Sequence, residues 1–310
     1  MTYILWVLVG LFILFPFLNF FLGIRPPSIS TTDDPSRYDL PFEHVSFPTV
    51  DGLTLRGWFI PAPNSSSPEL HSQRRPTIMV GHGYPFDKAN ILRHGLFLHP
   101  YYHLLFFDFR YFGESDGHYT TVGANEIRDV QAAITYLQHR EDVDTTKIGA
   151  LGFSMSAATF IMAQESSLRA IVADSPYASL LEIVRQQFSF LPDILRWPFV
   201  QLTNLFSKVF LGFDLADVSP QQSVRTLDTP LLLIHGGADS QIPPDHSKHI
   251  AHNANPNLTS LWIIPGADHG QAHAVEGTRY EQRILQFFQN RLSVDAHPRK
   301  LKEEIRPSPL

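Results

Sequence analysis

Six short apolar runs recur along the chain, at Thr77–Val80, Leu104–Phe109, Lys147–Leu151, Ala170–Ala173, Leu231–Ile234 and Leu261–Ile264, and none alternates strictly with polar residues. A strand with one wet face alternates, so runs of this kind belong in a sheet buried on both sides. Helical spacing fills the intervals, most plainly over 123–139, 155–165, 244–252 and 277–291. Strands alternating with helices give a mostly parallel sheet flanked by helices, an α/β fold. Two earlier segments, 43–50 and 53–60, meet at Asp51-Gly52, a pair that favours tight hairpin turns, and should add an antiparallel hairpin.

One interval breaks this rhythm. More than fifty residues separate Asp174 from Pro230, far beyond an ordinary crossover, and 188–213 is strongly apolar and aromatic with Pro192 and Pro198 dividing it into short helices. A helical cap insertion of about 177–222, after the sixth strand, is therefore expected over the C-terminal edge of the sheet. The plainer use of those aromatics is the cap's own small core.

The N-terminus obeys a different rule. From Ile4 to Ile24 there is no charge, and Asn19 is the only strongly polar side chain. At about 1.5 Å per residue such a helix is about 30 Å long, enough to cross a bilayer core. Pro16 would kink it without forbidding it. A cleaved signal peptide would want a basic start, a shorter run and a small-residue cleavage site, whereas Arg25-Pro26-Pro27 follows directly. The expectation is an uncleaved single-pass anchor over 1–25, a linker over 26–42, the folded domain over 43–292 and a flexible tail over 293–310. Arg25 and Arg37 follow the run and no Lys or Arg precedes it, which tilts toward a cytoplasmic domain without fixing the side of the membrane.

The residues that carry chemistry begin at Gly152-Phe153-Ser154-Met155-Ser156, between the run 147–151 and a good helix start at Ala157-Ala158. This is the strand–turn–helix context of a nucleophile elbow, whose turn is so tight that the residues two before and two after the nucleophile must be small. A serine hydroxyl needs a base, and the base needs an orienting acid. Asp239 follows the run 231–234 and His269 follows 261–264, so both should emerge at the sheet edge that carries Ser154. A turn-capping Asp is the plainer use of Asp239; Asp268 and His273 are the local competitors of His269. The oxyanion hole needs backbone N–H groups aimed at the developing charge. Met155 supplies one; the loop Gly81-His82-Gly83-Tyr84-Pro85 supplies the other from Tyr84, since Pro85 has no N–H and His82 is better used to buttress the loop.

These segments resemble the α/β-hydrolase superfamily, close to the serine-aminopeptidase-like and Bem46-like hydrolases. The likeness runs from about residue 43 to 291 and is carried by GHGYPFDKAN at 81–90, DFRYFGESDG at 108–117, GFSMSAAT at 152–159, ADSPYASL at 173–180, HGGADSQIP at 235–243 and PGADHG at 265–270. It implies the same roles for Ser154, Asp239, His269, Tyr84 and Met155. Ser156 and Tyr111 stand where the family pattern has glycine, and Asp108 and Arg110 are expected to brace the turn around Tyr111.

The function expected is hydrolysis of a carboxylic ester or thioester through an acyl-enzyme, on an apolar or lipid-like acyl substrate at a membrane. The alternative is a serine peptidase of aminopeptidase type, for which Glu182, Asp193, Asp214 and Asp217 are the cap carboxylates that could hold a substrate amine. A binding scaffold without catalysis is the third reading and would predict loss of a triad member. A net charge of −6 gives no reason to expect nucleic acid, and without cysteine there is no thiol catalysis or thiolate-held zinc. No metal or other cofactor is expected: His269 and His273 have ligand spacing, but the first is already claimed. Asn64-Ser65-Ser66 and Asn257-Leu258-Thr259 match glycosylation acceptors, as many sequences do by chance.

Overall fold

The computed structural model describes residues 2–63 and 74–292; the expected tail at 293–310 and the acceptor Asn64-Ser65-Ser66 lie outside the described residues. Helix α1 (Thr2–Ile24) comes first. Strands β1 (Glu43–Pro48) and β2 (Thr54–Ile60) then pair as an antiparallel hairpin, with Gly52 in the turn at φ 87°. After β3 (Arg75–Gly81), α2 (Lys88–Gly95) leads to β4 (His103–Phe107), and α3 (Glu126–Gln138) leads to β5 (Val143–Phe153). Then follow α4 (Met155–Ala163) and β6 (Leu168–Asp174).

Next come α5 (Leu180–Gln187), α6 (Asp193–Phe206) and the single turn α7 (Pro220–Ser223), which together form the cap insertion. The chain closes with β7 (Leu231–Gly236), α8 (Asp245–Asn253), β8 (Thr259–Ile264), α9 (Ala272–Glu276) and α10 (Thr278–Leu292). Among the described residues the eight strands form one sheet in the order β1-β2-β4-β3-β5-β6-β7-β8, parallel from β4 onward. This is the α/β-hydrolase architecture, a mostly parallel sheet with helices on both faces.

Residues two apart along a strand share a face, and β4 sorts its side chains accordingly. Leu105 and Phe107 join the core beneath α3 and α4, whereas Leu104 and Phe106 join the core beneath α2 and α10. Strands β3, β4, β6 and β7 are buried almost throughout, which is why they do not alternate in polarity, whereas the edge strand β1 does. Helix α2 carries no long apolar stripe and hydrophobic spacing overlooks it. Its start is set instead by a cap: Asp87 accepts from the N–H groups of Ala89 and Asn90, and Asn90 Oδ1 accepts from Asp87 N–H.

A third core ties the cap to α4, with Tyr177, Leu180, Phe188, Phe199 and Leu215 against Ala158 and Met162. Helix α1 is long and apolar enough to cross a membrane by length and composition. Its first turns stand clear of the body, while its later turns lie along α6. There Phe12 meets Phe199 with ring centroids 4.7 Å apart, Phe15 meets Phe199 at 5.5 Å and Phe17 meets Phe206 at 5.4 Å. The stretch after α1 is fastened to the body: Ile29 N–H donates to Pro85 O and Arg93 Nε to Asp33 Oδ2.

Candidate active site

The turn between β5 and α4 forces Ser154 to φ 55°, ψ −111°, where a side chain is strained by about 1–3 kcal/mol. Its backbone is clamped on both sides, its N–H donating to Asp174 O at 2.8 Å and its C=O accepting from Ala158 N–H at 3.1 Å. Gly152 is obligatory here, because a Cβ would stand 2.6 Å from Ala157 N and 2.7 Å from its Cα. Ser156 is tolerated where a glycine is usual because its hydroxyl joins the turn: it accepts from Phe153 N–H at 2.8 Å and lies 3.0 Å from Phe153 O. The space it needs comes from Gly81 on the neighbouring strand.

Three side chains from three strand ends meet above this turn. His269 Nε2 is 3.1 Å from Ser154 Oγ, and His269 Nδ1 is 2.7 Å from Asp239 Oδ2. With Nδ1–H donating to the carboxylate, Nε2 is left to accept the serine proton. Asp239 Oδ1 accepts from the N–H groups of Gln241 and Ile242, at 3.0 and 2.7 Å. Burial pushes the Asp239 carboxyl up, but hydrogen bonds from His235, His269 and the Ile242 N–H outweigh it and hold the group well below the usual carboxylate range. A carboxylate ionised at all ordinary pH keeps the imidazole in one tautomer. Such an arrangement can carry a proton from the hydroxyl to the imidazole and stabilise the resulting cation.

His235 is a site residue that sequence reasoning missed. Fully buried on β7, it lies with Nε2 2.7 Å from Ile242 O and 3.3 Å from Asp239 Oδ2, and Nδ1 2.6 Å from Ser247 Oγ. It therefore grips the turn that presents Asp239. Its position four residues before the acid on the same segment was the available signal. The two competitors of His269 are engaged elsewhere. Asp268 accepts from Ser240 N–H at 2.8 Å and His269 N–H at 2.8 Å, tying together the loops after β7 and β8. His273 Nε2 sits 2.9 Å from Glu281 Oε1, and its ring stacks on Tyr280.

Tyr84 and Met155 both line the cavity above Ser154, and neither backbone N–H has an acceptor among the described residues. The loop carrying Tyr84 passes so close that a Cβ on Gly83 would stand 3.2 Å from Ser154 Cβ. His82 holds that loop from beneath. Its Nδ1 is 2.9 Å from Gly83 O, and its Nε2 accepts from Phe109 N–H at 3.0 Å, which makes it a neutral imidazole with Nδ1–H. Burial pushes its pKa down and keeps it so.

Asp108 accepts from Lys88 Nζ at 2.6 Å and from the N–H groups of Lys88 and Glu114, while Arg110 forks onto Asp129 and Asp51. Between them Tyr111 takes φ 75°, a conformation glycine adopts without strain, and its hydroxyl donates to Pro26 O at 2.8 Å. The tyrosine is thus a tether for the segment leaving α1.

The cavity measures about 430 Å³, within the range that holds a small-molecule ligand. Ser154, His269 and Tyr84 form its floor; Leu180, Val184, Phe213 and Leu215 of the cap form one wall; Asn19, Phe20, Gly23 and Ile24 of α1 form another. Among the described residues no Asp, Glu, Lys or Arg lines it. Glu182, Asp193, Asp214 and Asp217 all lie outside it; Asp193 pairs with Arg196 and Asp214 with Lys208.

A profile of the prolyl oligopeptidase family matches residues 115–295, more than half of the chain. The protein YfhR of Escherichia coli K12 is 30% identical over 261 residues, spanning 81% of this chain and 82% of its own. The α/β-hydrolase domain-containing protein WAV2 of Arabidopsis thaliana is 26% identical over 282 residues, spanning 87% and 84%. Among solved structures, the esterase Pf2001 of Pyrococcus furiosus superposes with a TM-score of 0.66 at 26% identity, over 86% of this chain and 99% of that one. An acylaminoacyl peptidase of Pyrococcus horikoshii shares the fold, with a TM-score of 0.59 at 19% identity over 87% of this chain and 46% of its own.

Proposed function

We propose, from the premise that this chain belongs to the prolyl oligopeptidase family within the α/β-hydrolase superfamily, that it is a serine hydrolase that cleaves carboxylic esters or thioesters of apolar acyl chains. The observation that carries this reading is the hydrogen-bonded series Ser154–His269–Asp239 on the floor of a cavity that no charged side chain lines among the described residues. Ser154 Oγ attacks the acyl carbonyl while His269 Nε2 takes its proton, and the N–H groups of Tyr84 and Met155 hold the oxyanion. Collapse of the tetrahedral intermediate expels the alcohol or thiol, which receives that proton. Water, deprotonated by the same imidazole, then attacks the acyl-serine, and collapse releases the acid and restores the hydroxyl.

The family also contains peptidases, and two observations favour the esterase reading. An aminopeptidase needs a carboxylate to hold the substrate ammonium, and the four cap carboxylates stand away from the cavity. The likeness to an esterase of Pyrococcus furiosus at 26% identity points the same way.

Membrane attachment belongs to this reading. Phe190, Ile194, Trp197 and Val209 of the cap are more than 60% exposed, and Phe190 and Phe210 contact Phe15 and Phe17 of α1. With the exposed apolar side chains along α1, these residues give this side of the protein an apolar character suited to a bilayer.

The test is turnover of p-nitrophenyl esters from acetate to palmitate beside an aminoacyl p-nitroanilide, with Ser154→Ala as control. Ester turnover abolished by the substitution is expected; turnover of the anilide alone would move the protein to the peptidases, and silence on every substrate by folded protein would favour a binding scaffold.

A further inference from the structure

Helix α1 is more than an attachment to the domain. Four bonds fix its end to the catalytic body: Tyr84 Oη donates to Gly23 O at 3.1 Å, Thr120 N–H to Ile24 O at 2.9 Å, Arg25 Nε to His118 O at 3.1 Å and Tyr111 Oη to Pro26 O at 2.8 Å. Above them the phenylalanine contacts with α6 fix its inner face. Positions 19, 20, 23 and 24 then recur at helical spacing on the side that faces Ser154 and His269.

The chemistry of these positions points to a ligand. Asn19 is the one strongly polar side chain in a run otherwise fit for lipid, where a carboxamide facing hydrocarbon is costly. It is turned into the cavity, partly buried, and its amide has no hydrogen-bond partner among the described residues. Phe20 and Ile24 present hydrocarbon beside it. Gly23 also lines the cavity, and a Cβ there would meet nothing within 4 Å, so the position leaves open space beside it.

Building on the hydrolase reading above, we infer that the last two turns of α1 are a wall of the substrate site, with Asn19 binding the polar end of a long-chain acyl amphiphile and Phe20, Gly23 and Ile24 flanking its chain. The substrate class is a single-chain lipid ester that reaches Ser154 along α1 from the bilayer, and removing α1 removes part of the binding site along with the anchor.

The test uses the full chain in dodecylmaltoside micelles with two readouts: binding of pyrene-dodecanoate by fluorescence, and the ratio of kcat/KM for p-nitrophenyl palmitate to that for the acetate. Gly23→Leu fills the gap and is expected to weaken the probe at least tenfold and lower the ratio at least tenfold. Asn19→Leu is expected to weaken the probe about fivefold, the share of one neutral hydrogen bond. Leu22→Ala, on the outer face, should stay within twofold on both. Absence of probe binding, or unchanged affinity and ratio in Gly23→Leu and Asn19→Leu at wild-type melting temperature, overturns the inference. Failure of the hydrolase reading looks different: no ester of any length is turned over, yet the probe binds and responds to Gly23→Leu.

Discussion

Gly81 and Ser156 are matched across the base of the elbow: a Cβ on Gly81 would stand 2.6 Å from Ser156 Cβ and 2.9 Å from its hydroxyl. One small residue on β3 thus permits the larger one after the nucleophile. Gly81→Ala is expected to destabilise the protein by about 2 kcal/mol through overpacking, and Ser156→Gly by about 1 kcal/mol through its lost hydrogen bonds. The double variant should cost less than the sum, since the clash with Ser156 is then relieved and only Phe160, 3.1 Å from the added Cβ, still presses on it. Urea denaturation of the four proteins checks this coupling, and strict additivity would contradict it.

The carboxylate of Asp239 faces two imidazoles, and its replacement by an amide tests what it does there. In Asp239→Asn the Oδ1 position can still accept from Gln241 and Ile242. The other position becomes an N–H₂ pointed at donors on His235 and His269. His269 then turns to the tautomer with Nε2–H toward Ser154 and cannot act as a base. A fall in kcat of about 10³–10⁴-fold on an ester is expected, with the fold retained by circular dichroism. A fall below tenfold would remove Asp239 from the mechanism.

Stability should depend on acid through buried neutral histidines, of which His103 is the clearest. It is fully buried, and its Nδ1 accepts from Ala62 N–H at 2.9 Å, a bond that protonation there would break. Burial pushes its pKa down to about 4 from an ordinary 6.5, against the opposing pull of Asp142. As pH falls, the unfolded chain therefore takes up the proton first. The contribution is complete above pH 6.5 and is lost toward pH 4, a change of about 3 kcal/mol. His103→Asn keeps an acceptor for Ala62 and does not titrate. Unfolding free energies measured from pH 7.5 to 4 should show a shallower slope for this variant, and parallel slopes would contradict the assignment.

The sheet was legible because burial on both faces removes alternation, and runs such as 231–234 then have few other uses. The cap announced itself through the length of chain between Asp174 and Pro230. Ser154, Asp239 and His269 could be named because each follows a strand, and strand ends of a parallel sheet share one edge. Other features left weaker traces. An apolar run has no polar face to orient it, so only Asn19 hinted that α1 has an inner side. The departures at Ser156 and Tyr111 read as blemishes in a pattern until their partners were visible: Gly81 for the first, Pro26 O for the second. His235 escaped notice because its role depends on how the β7 turn folds back on itself.

The central claim is that Ser154 is a nucleophile activated by His269, and covalent capture tests it without knowledge of the substrate. The full chain in detergent is treated with an alkyl fluorophosphonate and read by intact mass and peptide mapping. A single phosphonyl adduct on Ser154 is expected, absent in Ser154→Ala and slowed at least a hundredfold in His269→Ala. No adduct on folded protein, or equal labelling of Ser154→Ala, would contradict the account.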